Sequence, residues 1–201
     1  MDAIHENLIY LEQNEYNGPV VIKSTVSMTT CEELAQLYPK LDIVHNPEFL
    51  TARTALYDFH YQKHIVIGKT NSSKNYQKVV DFYRKNYETA EISVCSSTES
   101  ELMKNFLNSF YAVKVQFFTE MYLLCQKLGI NYGTVKTLML KNGWINPMHT
   151  TVPGPDGKIS YGGLCFPKDT NALLQVMIAN DTPHEVLKST IIERNIMRKE
   201  D

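Results

Sequence analysis

From Ser97 to Leu128 the chain has neither proline nor glycine, and Gly129 follows at once. Such a run admits one long helix, marked by Glu101, Leu102, Phe106, Tyr111, Phe117, Met121 and Leu124, with Gly129 in the place of a C-terminal cap. The residues before it read differently. Val20–Val26 follows Gly18-Pro19 and predicts a buried strand; Leu41–Val44, His64–Gly68 and Glu91–Cys95 predict three more. Thr29–Leu34 reads as a helix start, with Thr30 and Glu33 in capping-box spacing, and Lys74–Tyr87 has helical periodicity. Short apolar strands alternating with helices imply an α/β class and a mostly parallel, Rossmann-like sheet covered on both faces. After Gly129 come a helix from about Tyr132, a Gly- and Pro-rich loop over 144–164, and two helices opened by Pro167 and Pro183. The expected organisation is an incomplete sheet domain over 1–97 and a helical domain over 98–201.

The 201 residues suffice for this, and 43% hydrophobic with 21% charged residues excludes disorder. Net charge is -2 with scattered Lys and Arg, so no nucleic-acid footprint is expected. No apolar run is long enough for a membrane span, and the polar start, Met1–Glu6, is no secretory signal. Cysteines 31, 95, 125 and 165 fit neither a C-x-x-C site nor a disulfide framework, which implies a reducing, cytoplasmic setting.

Cys31, Cys95 and Cys125 sit in apolar or helical patterns and read as small core hydrophobes. Cys165 differs. Gly162 and Gly163 let the backbone turn sharply before it, and Pro167 opens a helix after it. A thiol at a helix N-terminus favours the thiolate. Lys168 adds positive charge, and Asp169 lies one helical turn on, placed to act as a base. His60 and His64 have H-x-x-x-H spacing but no third ligand, so no metal is expected. The stripe Phe106, Phe110, Phe117, Met121, Leu124 reads as core or subunit interface.

Gly162–Asp169 resembles the active-site motif of the family that includes UDP-glucose 6-dehydrogenase and GDP-mannose dehydrogenase. Lys23–Val26, Asn46–Leu50 and Glu101–Asn108 resemble three further family segments in the same order, together spanning roughly residues 20–180. The resemblance implies two successive oxidations of a nucleotide sugar with NAD. Cys165 would hold the aldehyde as a thiohemiacetal and then as a thioester. Lys104 and Asn108, one turn apart, would face a developing oxyanion. Asp169 and Thr25 would position water or relay a proton, and Glu48 would be a base; a carboxylate capping the next helix is the other reading of Glu48. Phe49, Leu50, Tyr161, Gly162 and Gly163 would surround the sugar, and Lys168 and Thr25 would touch NAD. A homodimer through the long helix is expected by the same resemblance.

The chain departs from the family in places. No G-x-G-x-x-G follows a strand, and Gly154-Pro155-Asp156-Gly157 lies in a loop. The expectation is therefore that the main NAD-binding half is absent, that the chain is truncated at both ends, and that a sheet edge is left open unless another chain, such as a separate Rossmann partner, covers it. Ala52 stands where the family often has Glu. Gly143-Trp144-Ile145 stands where it often has Asp-Arg-Ile, which removes a phosphate contact. Trp144 reads as a buried anchor, or else as a residue that stacks on base or sugar. The competing functions are a non-catalytic dimerisation or binding module and a cysteine hydrolase, for which His149 is the only histidine in the loop.

Overall fold

The computed structural model describes residues 2–198. The chain forms two compact units, Met1–Lys104 and Asn105–Asp201.

The first unit contains α1 (Asp2–Gln13), β1 (Pro19–Ile22), α2 (Thr30–Leu37), β2 (Asp42–His45), α3 (Ala55–His60), β3 (His64–Lys69), α4 (Tyr76–Asn86) and β4 (Glu91–Ser96). The sheet order is β1-β2-β3-β4. β1 pairs with β2 and β3 with β4 in parallel, whereas β2 and β3 are antiparallel and share only Val44↔Lys69 and His45↔Gly68. Side chains complete that short junction. Asn46 donates to Val66 O at 2.8 Å, and Ser73 and Thr70 donate to Ile43 O at 2.6 and 3.2 Å.

Strand alternation sends neighbouring residues to opposite faces. Ile43 packs with Leu8, Ile22, Cys31 and Leu34, from α1, β1 and α2. Val44 packs with Ile65, Ile67, Val79, Val80 and Tyr83, from β3 and α4. At β2 the sheet is thus covered on both faces, as an apolar inner strand requires, whereas β4 stays partly exposed. β1 ends at Ile22, four residues before the expected Val26. Asn46 N donates to Ile22 O, and the next residue of the neighbouring strand is Pro47, which has no N–H to extend the ladder.

The capping-box reading of α2 is corrected. Thr30 is the first helical residue, and Thr29 at φ 72° precedes it without a side-chain cap, its hydroxyl bonding Glu33 instead. The amide of Cys31 is satisfied from afar by the buried Glu101 carboxylate at 2.7 Å, and burial raises the Glu101 pKa. Helix α1 has no counterpart among the elements expected from the sequence.

α5 (Ser97–Leu128) begins in the first unit and supplies the second, which adds α6 (Tyr132–Leu140), α7 (Phe166–Ala179) and α8 (Glu185–Met197). Asn131 caps α6 by accepting from Thr134 N at 3.0 Å. Phe118, Cys125, Tyr132 and Val152 form the core cluster, with Met121, Met139, Ile145 and Ile159 against it. Of the apolar α5 stripe, Met121 alone joins this core; Phe106, Phe110, Phe117 and Leu124 are exposed. Trp144 is 91% exposed, so the buried-anchor reading is corrected. Gly143, at φ 85°, turns the chain after α6 so that Ile145 packs inward in its place. Among the described residues, no helix is long and apolar enough to cross a membrane.

Candidate functional site

In the first unit the candidate residues gather around the strand ends. Lys104, buried on α5, donates from Nζ to Glu48 O at 2.5 Å and lies 3.5 Å from Glu48 Oε1. Its ammonium also sits 5.3 Å from the centre of the Phe49 ring, a cation–π distance. Phe49 in turn stacks on His64, with centroids 6.5 Å apart and an 8° interplanar angle. The other oxygen of Glu48 accepts from Leu50 N at 2.6 Å. Glu48 therefore folds its own loop and does not cap α3, which starts only at Ala55. The Leu50 amide is already engaged.

Beneath this cluster lies a polar layer. Lys23 donates to Asn46 Oδ1 at 2.8 Å, and the Tyr83 hydroxyl donates to the same oxygen at 2.5 Å. Burial lowers the Lys23 pKa, and Glu48 opposes the shift. His45, adjacent to Asn46, is buried with Nδ1 2.9 Å from Ser100 Oγ. Burial pushes its pKa down to about 4, a Ser24 backbone hydrogen bond opposes this, and the charges of Lys23 and Lys104 add to the lowering. Sequence reasoning missed His45; its place directly before Asn46-Pro47-Glu48 was the available signal. Thr25 is half-buried in the connection after β1, beside the exposed Ser24.

In the second unit the glycine pair and the α7 start produce the expected turn. Gly163 adopts φ 78°, and Cys165 is the exposed N-cap of α7, its carbonyl accepting Asp169 N at 2.9 Å. Asp169 is fully buried. Its carboxylate accepts from Asn108 Nδ2 at 2.6 Å and from Lys168 Nζ at 2.5 Å. Two donors thus compensate a charge that would be costly alone. Tyr161 is buried beneath Arg194, and Gly162 lies against Arg198.

His149 lies tilted against Tyr111 and edge-on to Phe166, at centroid distances of 4.6 and 5.6 Å. Burial, and secondarily Lys114, lowers its pKa. Among the described residues no hydrogen bond joins it to Cys165, so the ring braces the start of α7. His60 ends α3 and His64 opens β3, where it bonds Ser93 Oγ at 2.8 Å. Among the described residues no group of three His, Cys, Asp or Glu is placed to hold a metal.

The hydroxyls of Ser24 and Thr25 stand beyond the carboxyl end of β1, where open α/β sheets take their ligands. Donors of that kind fit the hydroxyl and phosphate groups of a dinucleotide.

A Rossmann-like sheet unit followed by helices that present an exposed cysteine at a helix start defines a two-part α/β class. The family's NAD binding domain profile matches residues 3–87, and its central domain profile matches residues 98–195. The chain belongs to the UDP-glucose/GDP-mannose dehydrogenase family. It is 35% identical over 180 residues to UDP-glucose 6-dehydrogenase of Rhizobium meliloti, covering 86% of this chain and 40% of that protein. It is 31% identical to the Campylobacter jejuni UDP-glucose 6-dehydrogenase, covering 90% of this chain and 44% of that one. The structure of a UDP-glucose dehydrogenase from Pyrobaculum islandicum superposes with a TM-score of 0.73 at 28% identity, over 86% of this chain and 40% of that one. The chain therefore spans about two-fifths of the length of these relatives.

The match over residues 3–87 corrects one expectation. The NAD-binding domain is present in this chain, not absent. A glycine fingerprint is one turn of such a domain, whereas the domain itself is the layered sheet, whose strands and covering helices carry the likeness on their own.

Proposed function

We propose that the chain oxidises a nucleotide sugar of the UDP-glucose type to its uronic acid, with Cys165 as covalent nucleophile. The observation that carries this reading is the cluster at the start of α7. An exposed thiol at the helix N-terminus is followed, one turn on, by a buried carboxylate held by Asn108 and Lys168. A buried, doubly held carboxylate beside an exposed thiol has little use in a surface helix.

When bound, NAD accepts the hydride at each oxidation level, and Thr25 and Lys168 are the residues assigned to hold it. The chain's own residues do the remaining work. The Cys165 sulfur adds to the aldehyde carbon, and the proton passes to the carbonyl oxygen, giving a thiohemiacetal. At the higher oxidation level the adduct is a thioester, and water releases the acid and the free thiol. Lys104 and Asn108 supply a cation and an amide donor to the oxyanion. Glu48, already bonded to Lys104, takes a proton, and Asp169 orients Asn108 and water. Phe49, Leu50, Tyr161, Gly162 and Gly163 shape the sugar pocket. The domain assignment is an NAD-binding part over 1–97 and a substrate and dimerisation part over 98–201.

The exposed Phe106, Phe110, Phe117 and Leu124 support a homodimer. With Leu173, Met177 and Val186, Phe106 and Phe110 line a groove of about 430 Å³ that a second copy would fill.

The test is NADH formation by the chain with NAD and UDP-glucose, followed by absorbance. Activity that disappears in Cys165→Ser supports the reading. Absence of NADH together with absence of calorimetric NAD binding refutes it, and a dimer that persists in that case marks a dimerisation module.

A further inference from the structure

Residues 156–162 lead into the Cys165 turn and are held from two helices. From the end of α8, the Arg198 guanidinium pairs with the Asp156 carboxylate, and its Nη1 donates to Ser160 O at 3.3 Å and, more weakly, to Ile159 O at 3.5 Å. One turn earlier Arg194 donates from Nε to Tyr161 O at 3.1 Å and lies 5.7 Å from the centre of the Tyr161 ring. From α5, Gln116 accepts from Ser160 Oγ at 2.5 Å and Thr119 accepts from Ser160 N at 3.1 Å.

Both guanidiniums are buried. Burying two such cations is expensive, and here several of their hydrogen bonds go to the backbone of one loop, at Ile159, Ser160 and Tyr161. A Cβ built on Gly162 would overlap the guanidinium of Arg198. The flat fork of arginine can meet the carboxylate and the carbonyls together while leaving its face against a glycine; a lysine ammonium cannot.

We propose that Arg198 is a positioning residue for Cys165. It clamps the backbone before the turn, so that Gly163 delivers the thiol to the N-terminus of α7, and residue 162 is glycine because the guanidinium fills the space of its Cβ. The proposal rests on the reading of Cys165 as the nucleophile.

The test is iodoacetamide labelling of the native 201-residue chain at neutral pH, quantified on the Cys165 and Cys95 peptides by mass spectrometry. Half-buried Cys95, in the other unit, is the internal reference. Arg198→Lys is expected to lower the Cys165-to-Cys95 labelling ratio about fivefold, the order of a helix N-terminus's worth to an adjacent anion. Gly162→Ala lowers it similarly alone, and adds nothing in an Arg198→Ala background. A ratio that is unchanged or raised in Arg198→Lys overturns the proposal, even where the melting temperature drops. So does a Gly162→Ala effect that is the same with and without Arg198. The assay contains neither NAD nor sugar. A chain that makes no NADH but shows the expected ratios therefore loses the dehydrogenase reading alone.

Discussion

Asn108 and Asp169, 61 residues apart in the chain, are joined by a 2.6 Å hydrogen bond from the amide of one to the fully buried carboxylate of the other. The bond ties α5 to the first turn of α7, four residues from the thiol. Asn108→Ala removes a donor from a buried anion, so it should cost about 1–3 kcal/mol of stability. Asn108→Asp should cost more, because it sets a second carboxylate against the first. Urea unfolding of the three proteins measures both, and an Asn108→Ala midpoint equal to the parent's would show that the bond contributes nothing.

Lys104 is the cation closest to Glu48 and Phe49. Lys104→Met keeps the stem and deletes the charge. If Lys104 faces an oxyanion, kcat should fall by about 10²–10³, the usual worth of one such donor, with a much smaller change in KM. Steady-state kinetics with UDP-glucose separate the two. A rise in KM alone would make Lys104 a binding residue.

His45 predicts a pH dependence. Its folded pKa of about 4 lies below its ordinary value of 6.5. Between those values the unfolded chain binds the extra proton, so stability is full above about pH 6.5 and is lost as pH falls toward about 4. The shift corresponds to about 3 kcal/mol at most. His45→Gln can keep the bond to Ser100 and cannot titrate, so its urea midpoint should vary less over this window than the parent's. Parallel curves for the two proteins would contradict the assignment.

The exposed phenylalanines of α5 predict an association that is simple to break. Phe110→Asp should shift the chain from dimer to monomer in sedimentation velocity without loss of helix signal. An unchanged sedimentation coefficient would place the dimer contact elsewhere.

Trp144 is the single tryptophan and stands almost free of the chain. At concentrations too low for association, its emission should be that of a solvated indole, open to acrylamide. A blue-shifted, protected emission would restore the buried-anchor reading.

Much of this protein was determined by local sequence. A run without Pro or Gly had to be a helix, because nothing in it breaks the hydrogen-bond ladder. The β-branched runs had to be strands, and the Gly162–Asp169 motif had to bring a thiol to a helix start, because Gly and Pro act on the backbone beside them. Only the tertiary structure decided the rest. The reversal between β2 and β3, the capping of α2 by Glu101, the burial of His45 and the arginine clamp on residues 156–162 depend on partners tens of residues away. Side-chain type alone does not disclose such partners: a buried carboxylate, imidazole or guanidinium is tolerated only where the fold supplies its counterpart.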